Sequence, residues 1–287
     1  MKIKDLYRFG EKVLGGHGIG NLPIISDLNA KAIKRLKNEF VIIDGDKIFL
    51  DEKDSLLLSI NKIYEKNETN FIKDSVNKGD IVIDIGANIG YYTLMFAKLV
   101  GDTGKIYSFE PDPRNFLILE KNIQINGYNN IILEKKAVSN KLGKSILYVN
   151  EYSAGSSMHK PNNYAANEIS VDLITLDNYF EVNSIIPDFI KMDIEGHELN
   201  ALKGMESILQ SSDKTKIMIE YSPLAKKELN IDPMDSLTFL SELGFKFKDI
   251  NSRVQIFLTF EDVKQKYENS KKLTNFICIK NSSEIKT

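Results

Sequence analysis

Four carboxylates stand at the ends of short apolar runs: Asp84 in Ile81-Val82-Ile83-Asp84-Ile85, Glu110 after Ile106-Tyr107-Ser108-Phe109, Asp193 after Phe189-Ile190-Lys191-Met192 and Glu220 after Ile217-Met218-Ile219. Apolar runs this short read as buried parallel strands rather than helices. In open parallel sheets ligands lie beyond the carboxyl ends of the strands, so the pattern predicts four acids at one rim. Such a rim is costly to ionise unless cations offset it. The chemistry it suits is recognition of a positively charged ligand.

Residues 79 to 93, GDIVIDIGANIGYYT, sharpen that expectation. A strand, a turn with Gly86 and Gly90, and an apolar helix start make the first half of a nucleotide-binding unit. A dinucleotide would place its pyrophosphate at this helix start. Asp84, about 4 Å from a phosphate, would repel it by roughly 4 kcal/mol at an effective dielectric of 20. S-adenosylmethionine carries an ammonium and a sulfonium and no phosphate, so the charge pattern favours it over a nicotinamide dinucleotide.

Glu110 lies about 20 residues past the glycine turn, where nucleoside-binding folds place the acid that holds the ribose hydroxyls. Pro111-Asp112-Pro113 then forces a turn and restarts a helix. In Asp193-Ile194-Glu195-Gly196-His197-Glu198, Asp193 and Glu195 could hold the methionine part of the ligand, bind an acceptor hydroxyl or ligate a metal. Helix capping explains Glu198. Asp193 and Glu220 could together hold a divalent ion, and oxygen ligands of this kind suit Mg²⁺. The polar loop between 150 and 170 offers Ser156, Ser157 and His159 to a substrate, and Glu220 is a further substrate-binding candidate.

The elements that must position these groups alternate. Strands are predicted at 81–85, 105–110, 131–135, 188–193 and 216–221, with helices at 90–100, 113–126, 198–210 and 233–243. The expected fold is α/β: a Rossmann-like, mostly parallel doubly wound sheet with an antiparallel edge strand drawn from 245–250 or 274–280. Residues 1–75 are expected to form an N-terminal helical and hairpin cover, with an apolar stripe over 3–14, a glycine-rich linker at 15–20 and an Asp44-Gly45 hairpin turn. Residues 76–287 form the ligand-binding domain, with an insertion near 150–170.

The chain has 287 residues and a net charge of -2, which sets up no global field for nucleic acid. Its single cysteine, Cys278, excludes an intrachain disulfide. No run of about 18 apolar residues spans a bilayer, and no signal-peptide pattern is seen. A cytoplasmic protein is expected.

Taken in order, Asp84 to Thr93, Phe109 to Pro113, Ala137-Val138-Ser139-Asn140, Ile190 to Glu198 and Leu202-Lys203-Gly204 make the chain resemble the FkbM-type methyltransferases, a branch of the class I S-adenosylmethionine-dependent enzymes. Tyr64 to Thr69 is similar to that family's lead-in. The resemblance implies that Gly86, Ala87, Asn88 and Gly90 line the methionine end of the cofactor, with Asp84, Tyr91, Thr93 and Asp193 beside them. It also implies that Glu110 and Pro111 meet the ribose, that Ala137, Val138 and Ser139 flank the adenine, and that Glu65 and Thr69 approach from the N-terminal cover. The implied reaction is O-methylation of a hydroxyl on a sugar, glycolipid or other small molecule. Asp193, Glu195 or His197 could take the hydroxyl proton, as could His159; a metal at Asp193 and Glu220 could instead acidify the hydroxyl. The competing readings are a methyltransferase acting on RNA, disfavoured by the charge balance, and a module that binds the cofactor without turnover.

Overall fold

A computed structural model describes residues 37–149, 155–162, 166–181, 185–223 and 228–280. The expected helix at 3–14, the linker at 15–20 and the lysine-rich stretch at 31–35 lie outside the described residues. The hairpin is formed by β1 (Phe40–Ile43) and β2 (Asp46–Phe49), and Asp44 and Gly45 turn it with φ of 49° and 92°. Two consecutive left-handed residues match the twist of a tight antiparallel pair. A short helix α1 (Leu58–Asn61) and α2 (Lys66–Ser75) follow.

The described residues then alternate as β3 (Ile81–Ile85), α3 (Tyr91–Val100), β4 (Lys105–Phe109), α4 (Pro113–Asn126) and β5 (Ile131–Glu134). A small sheet comes next, of β6 (Ala137–Val138), β7 (Gly143–Val149) and β8 (Asn167–Ile174), and then α5 (Leu176–Phe180). The chain returns to the main sheet with β9 (Phe189–Met192), α6 (Glu198–Lys203), α7 (Glu206–Ser211), β10 (Lys216–Tyr221), α8 (Met234–Glu242), β11 (Lys246–Asp249), α9 (Phe260–Tyr267) and β12 (Thr274–Ile279). The sheet order is β11-β12-β10-β9-β3-β4-β5. From β10 to β5 all pairs are parallel. β3 to β5 grow outward on one side of β3, and β9 and β10 fill the other, so the order reverses at β3 and opens a crevice there.

Two expectations need correction. The antiparallel strand is β12, and it lies one place inside the edge, paired antiparallel to both β10 and β11. All six of its residues are buried, whereas β11 carries Lys246 and Lys248. The apolar strand takes the doubly paired place and the lysine-bearing one takes the edge, where charge discourages pairing with other chains. The helix expected at 198–210 is broken into α6 and α7. A Cβ at Gly204 would run into the Ser139 carbonyl oxygen, so this turn sits hard against the end of β6. α7 restarts because the Asp177 carboxylate accepts the free Ser207 and Ile208 N–H groups, each at 3.0 Å.

The hairpin is not a separate layer. Val41, Ile48 and Leu50 share one buried apolar cluster with Val82 of β3, Ile106 of β4 and most of α3. On α4, Asn122 and Asn126 accept the Phe49 and Lys47 N–H groups at 2.7 and 2.8 Å. These bonds satisfy the outer edge of β2 and fix the cover to the core.

Candidate active site

After β3 the chain passes through Gly86, Ala87, Asn88, Ile89 and Gly90 into α3, with φ of 80° at Gly86, 52° at Asn88 and 94° at Gly90. The Gly86 and Ala87 N–H groups donate to the Phe109 carbonyl at 3.0 and 3.1 Å. Glu110 completes the junction. Its carboxylate accepts the Asn88 N–H and the Asp112 N–H, both at 2.8 Å. One acid thus clamps two crevice loops and lines the cavity between them. Burial pushes the Glu110 carboxyl up to about 8, with Asp112 and Asp84 adding to the rise against the two backbone donors.

That cavity is open to solvent on one side. Gly86, Ala87, Asn88, Tyr91, Glu110, Pro111, Ala137, Val138, Ser156, Asp193, Glu195, His197 and Glu220 all line it, so most of the expected site residues are brought together. The remainder stand behind the wall. Side chains alternate along β3: Ile83 and Ile85 face one apolar cluster, while Val82 faces the other. Asp84 shares the side of Val82 and is fully buried against α3. It accepts the Thr93 hydroxyl at 2.6 Å, and Thr93 lies 3.1 Å from the Ser108 hydroxyl. Asp84 and Thr93 therefore support the turn from behind and do not line the cavity. The other Asp84 oxygen has no hydrogen-bond partner in this buried place. Burial raises the Asp84 carboxyl above the usual range, while the Lys191 ammonium pulls it down.

The glycines also act differently from expectation. A Cβ at Gly86 would strike the Asp193 carbonyl oxygen and crowd Ile194, so Gly86 lets the β9 loop approach rather than clearing space for a ligand. Gly90 does not line the cavity; a Cβ there would press on Leu119 of α4. Glu65 and Thr69 are likewise one step removed. Glu65 accepts the Tyr92 hydroxyl at 2.8 Å, and Thr69 donates to the Tyr64 carbonyl at 2.8 Å and meets the Tyr91 hydroxyl at 3.2 Å. What they hold in place is an aromatic corner. The Tyr64, Tyr91 and Tyr92 rings pack edge to face with centroids 5.1 to 6.1 Å apart, and all three line the cavity. The adjacent pair Tyr91-Tyr92 at the helix start was the available signal for it, and Tyr64 arrives only through the fold.

The β9 loop supplies the acidic wall. Lys191 is almost fully buried with its ammonium 3.2 Å from Asp193 and 5.2 Å from the Tyr92 ring centroid. Glu195 is left-handed, with φ of 52°. A non-glycine residue in that region costs about 1–2 kcal/mol, and here the strained residue faces the cavity. Burial, then Asp193 and Glu198, push the Glu195 carboxyl up to about 8. Glu198, expected to cap the helix, instead braces the loop that precedes it, accepting the Ile194 and Gly196 N–H groups at 3.2 Å. His197 is held at both ring nitrogens, with Nε2 3.0 Å from the Ser139 hydroxyl and Nδ1 3.3 Å from the Asn200 amide and 3.4 Å from His159. Burial, then the neighbouring His159 and Lys141, hold His197 down at about 4. Ser139 is thus a partner of His197 and does not itself line the cavity.

The segment 155–162 straps the two halves together. Ser156 donates to Asp112 at 3.0 Å and Ser157 donates to the Glu195 carbonyl at 2.7 Å. Ser156 and Met158 line the cavity; Ser157 is buried beneath the strap, and His159 reaches the site only through His197. Among the described residues no group of three or more His, Cys, Asp or Glu side chains converges to hold a metal ion, so the suggested Asp193–Glu220 pair has no third ligand.

A glycine turn, a nucleoside-type acid and an acidic loop on a Rossmann-like sheet are matched by one family model, the methyltransferase FkbM domain, over residues 84–247. The chain belongs to the FkbM methyltransferase family. It is a class I S-adenosylmethionine-dependent methyltransferase. A 179-residue stretch is 26% identical to the hexuronic acid methyltransferase AglP of Haloferax volcanii, covering 62% of this chain and 68% of that one. A 62-residue stretch is 36% identical to an uncharacterized protein of Methanocaldococcus jannaschii, covering 22% of this chain and 23% of that one. Among solved structures, an S-adenosylmethionine-dependent O-methyltransferase of Thermotoga maritima superposes with a TM-score of 0.45 at 12% identity, over 86% of this chain and 79% of that one. No helix among the described residues is long and apolar enough to cross a membrane.

Proposed function

We propose that this FkbM-family enzyme methylates a hydroxyl of a sugar or glycan-type acceptor. The observation that carries the reading is the shared 179-residue stretch with a hexuronic acid methyltransferase, in a chain that belongs to the same class of enzyme. The cavity fits the cofactor: an acid with two backbone-fixed oxygens, an apolar slot beside it and a tyrosine-lined acidic corner.

When bound, S-adenosylmethionine supplies a methyl group on a sulfonium sulfur, open to in-line displacement. Glu110 offers its remaining lone pairs to the ribose hydroxyls while its backbone bonds keep it from rotating. Pro111, Ala137, Val138 and Leu147 bound the adenine slot, and the Gly86–Asn88 backbone with Asp193 meets the methionine end. Faces of Tyr64, Tyr91 and Tyr92 favour a nearby cation through the ring quadrupole. Alignment is the main contribution asked of the protein, and fixed geometry of this kind can lower a barrier by roughly 7–11 kcal/mol.

The acceptor hydroxyl must also lose its proton. Glu195 is the best matched group, because a base works best when its pKa lies near the working pH and Glu195 is raised to about 8. His197 is neutral but, held at about 4, is a much weaker base. The test is transfer of labelled methyl from S-adenosylmethionine to a panel of mono- and oligosaccharides, with RNA alongside and products identified by mass spectrometry. Label on a sugar hydroxyl is expected; label in RNA alone, or in no sugar, would overturn the reading.

A further inference from the structure

Glu220 lies near the end of β10 at the rim of the main cavity and also borders a small recess, wide enough for about one water-sized group, together with Gly196, Glu198, Ser222, Ile231, Pro233 and Ser236. Among the described residues its half-buried carboxyl makes no hydrogen bond and no ion pair. Glu195 is likewise without a side-chain partner among the described residues and is the proposed base, whereas the other acids on this wall are paired. Asp193 is paired with Lys191, and Glu198 accepts two backbone N–H groups. Both lysines lining the cavity are also taken, Lys191 by Asp193 and Lys136 by Glu134 at 2.9 Å.

A buried carboxyl without a donor is costly to keep. Burial, then Asp193 and Glu195, hold Glu220 well above the usual carboxylate range, and a cation beside it would favour its charged form. The cofactor reading above assigns the cationic groups of S-adenosylmethionine to the Asp193 and tyrosine side of the cavity. The recess beyond Glu220 is bounded by two serines and two carboxyl groups and, among the described residues, by no cation. An incoming carboxylate would meet acids there and, among the described residues, find no free ammonium or guanidinium, whereas an ammonium would satisfy Glu220.

We propose that the acceptor presents a protonated amine to Glu220 in this recess, so that the enzyme prefers amino-bearing hydroxyl compounds, amino sugars foremost, over uronic acids. The inference rests on the sugar reading above, and it separates this chain from the Haloferax relative, whose name specifies a hexuronic acid.

The experiment compares matched glycosides of an amino sugar, its neutral hydroxyl counterpart and the corresponding uronic acid, in several ring configurations, with simple amino alcohols, diols and hydroxy acids alongside. Methyl transfer is read as kcat/KM for wild type and for Glu220→Gln, whose folding is checked by its melting curve. The amine should be preferred over the neutral compound by roughly tenfold or more, the size expected of a charge-assisted hydrogen bond, and the preference should collapse in Glu220→Gln. A uronic acid or hydroxy acid methylated as well as the amine would overturn the inference and leave the sugar reading standing. So would an amine preference that survives Glu220→Gln. An amine preference confined to the amino alcohols would support the charge assignment and overturn the sugar reading. Absence of transfer to every compound would overturn both.

Discussion

Glu110 ties protonation, stability and cofactor binding to one buried group. Its carboxyl lies at about 8 in the folded protein, against a usual value of 4.5. At about 1.36 kcal/mol per unit the full difference is about 5 kcal/mol. Because the folded pKa is raised, the folded protein keeps a proton that the unfolded chain has already released. Stability from this group is therefore complete below pH 4.5 and is lost as pH rises through 8. His197 works in the opposite sense between about 4 and 6.5. Glu195, raised to about 8, and Glu198 and Glu65, raised to about 7, lose protons in the same window as Glu110, so its share is read as the difference between wild type and Glu110→Gln. From pH 6.5 to 8 the Glu110 share of the lost unfolding free energy should be about 1.6 kcal/mol. Urea denaturation at half-unit pH steps measures it. Glu110→Gln has no proton to lose: it should be less stable than wild type at pH 6.5, because an amide NH₂ now faces a backbone N–H, yet its stability should fall less steeply towards pH 8. Saturating S-adenosylmethionine should flatten the wild-type profile, since a ligand held by ionised carboxylates favours their charged forms. Parallel profiles for the two proteins would refute the assignment of that proton to Glu110.

Gly86→Ala should lower the melting temperature and weaken S-adenosylmethionine binding together, since a left-handed alanine costs about 1–2 kcal/mol and its Cβ displaces the Asp193 carbonyl; an unchanged melt would refute the close packing of these two loops. Lys191→Met should destabilise the protein by about 3–5 kcal/mol by leaving Asp193 and Asp84 without their buried cation, and denaturation curves showing less than about 1 kcal/mol would contradict it. Glu195→Gln should reduce turnover by roughly 10²–10⁴ with calorimetric cofactor affinity changed only a few-fold. A normal rate would remove Glu195 from the chemistry.

Much of this molecule is written locally. The strand, glycine turn and helix around Asp84 to Thr93, the acid at Glu110 and the alternation through Tyr221 depend on short-range period and turn chemistry, and the sheet from β10 to β5 follows from them. The family resemblance in those same words was enough to anticipate a class I methyltransferase. Tertiary structure decided which side of the wall each side chain faces. Asp84 and Ile85 are neighbours in sequence, yet the two-residue alternation of a strand sends one behind the sheet and the other to the cavity. It also decided the partners. Tyr64 reaches Tyr91 and Tyr92, His197 meets Ser139 and His159, and Gly86 gives room to Asp193, all across separations that no local pattern encodes. The place of β12 inside the edge is of the same kind, because a strand's neighbours are set by burial of the whole sheet rather than by its own residues alone.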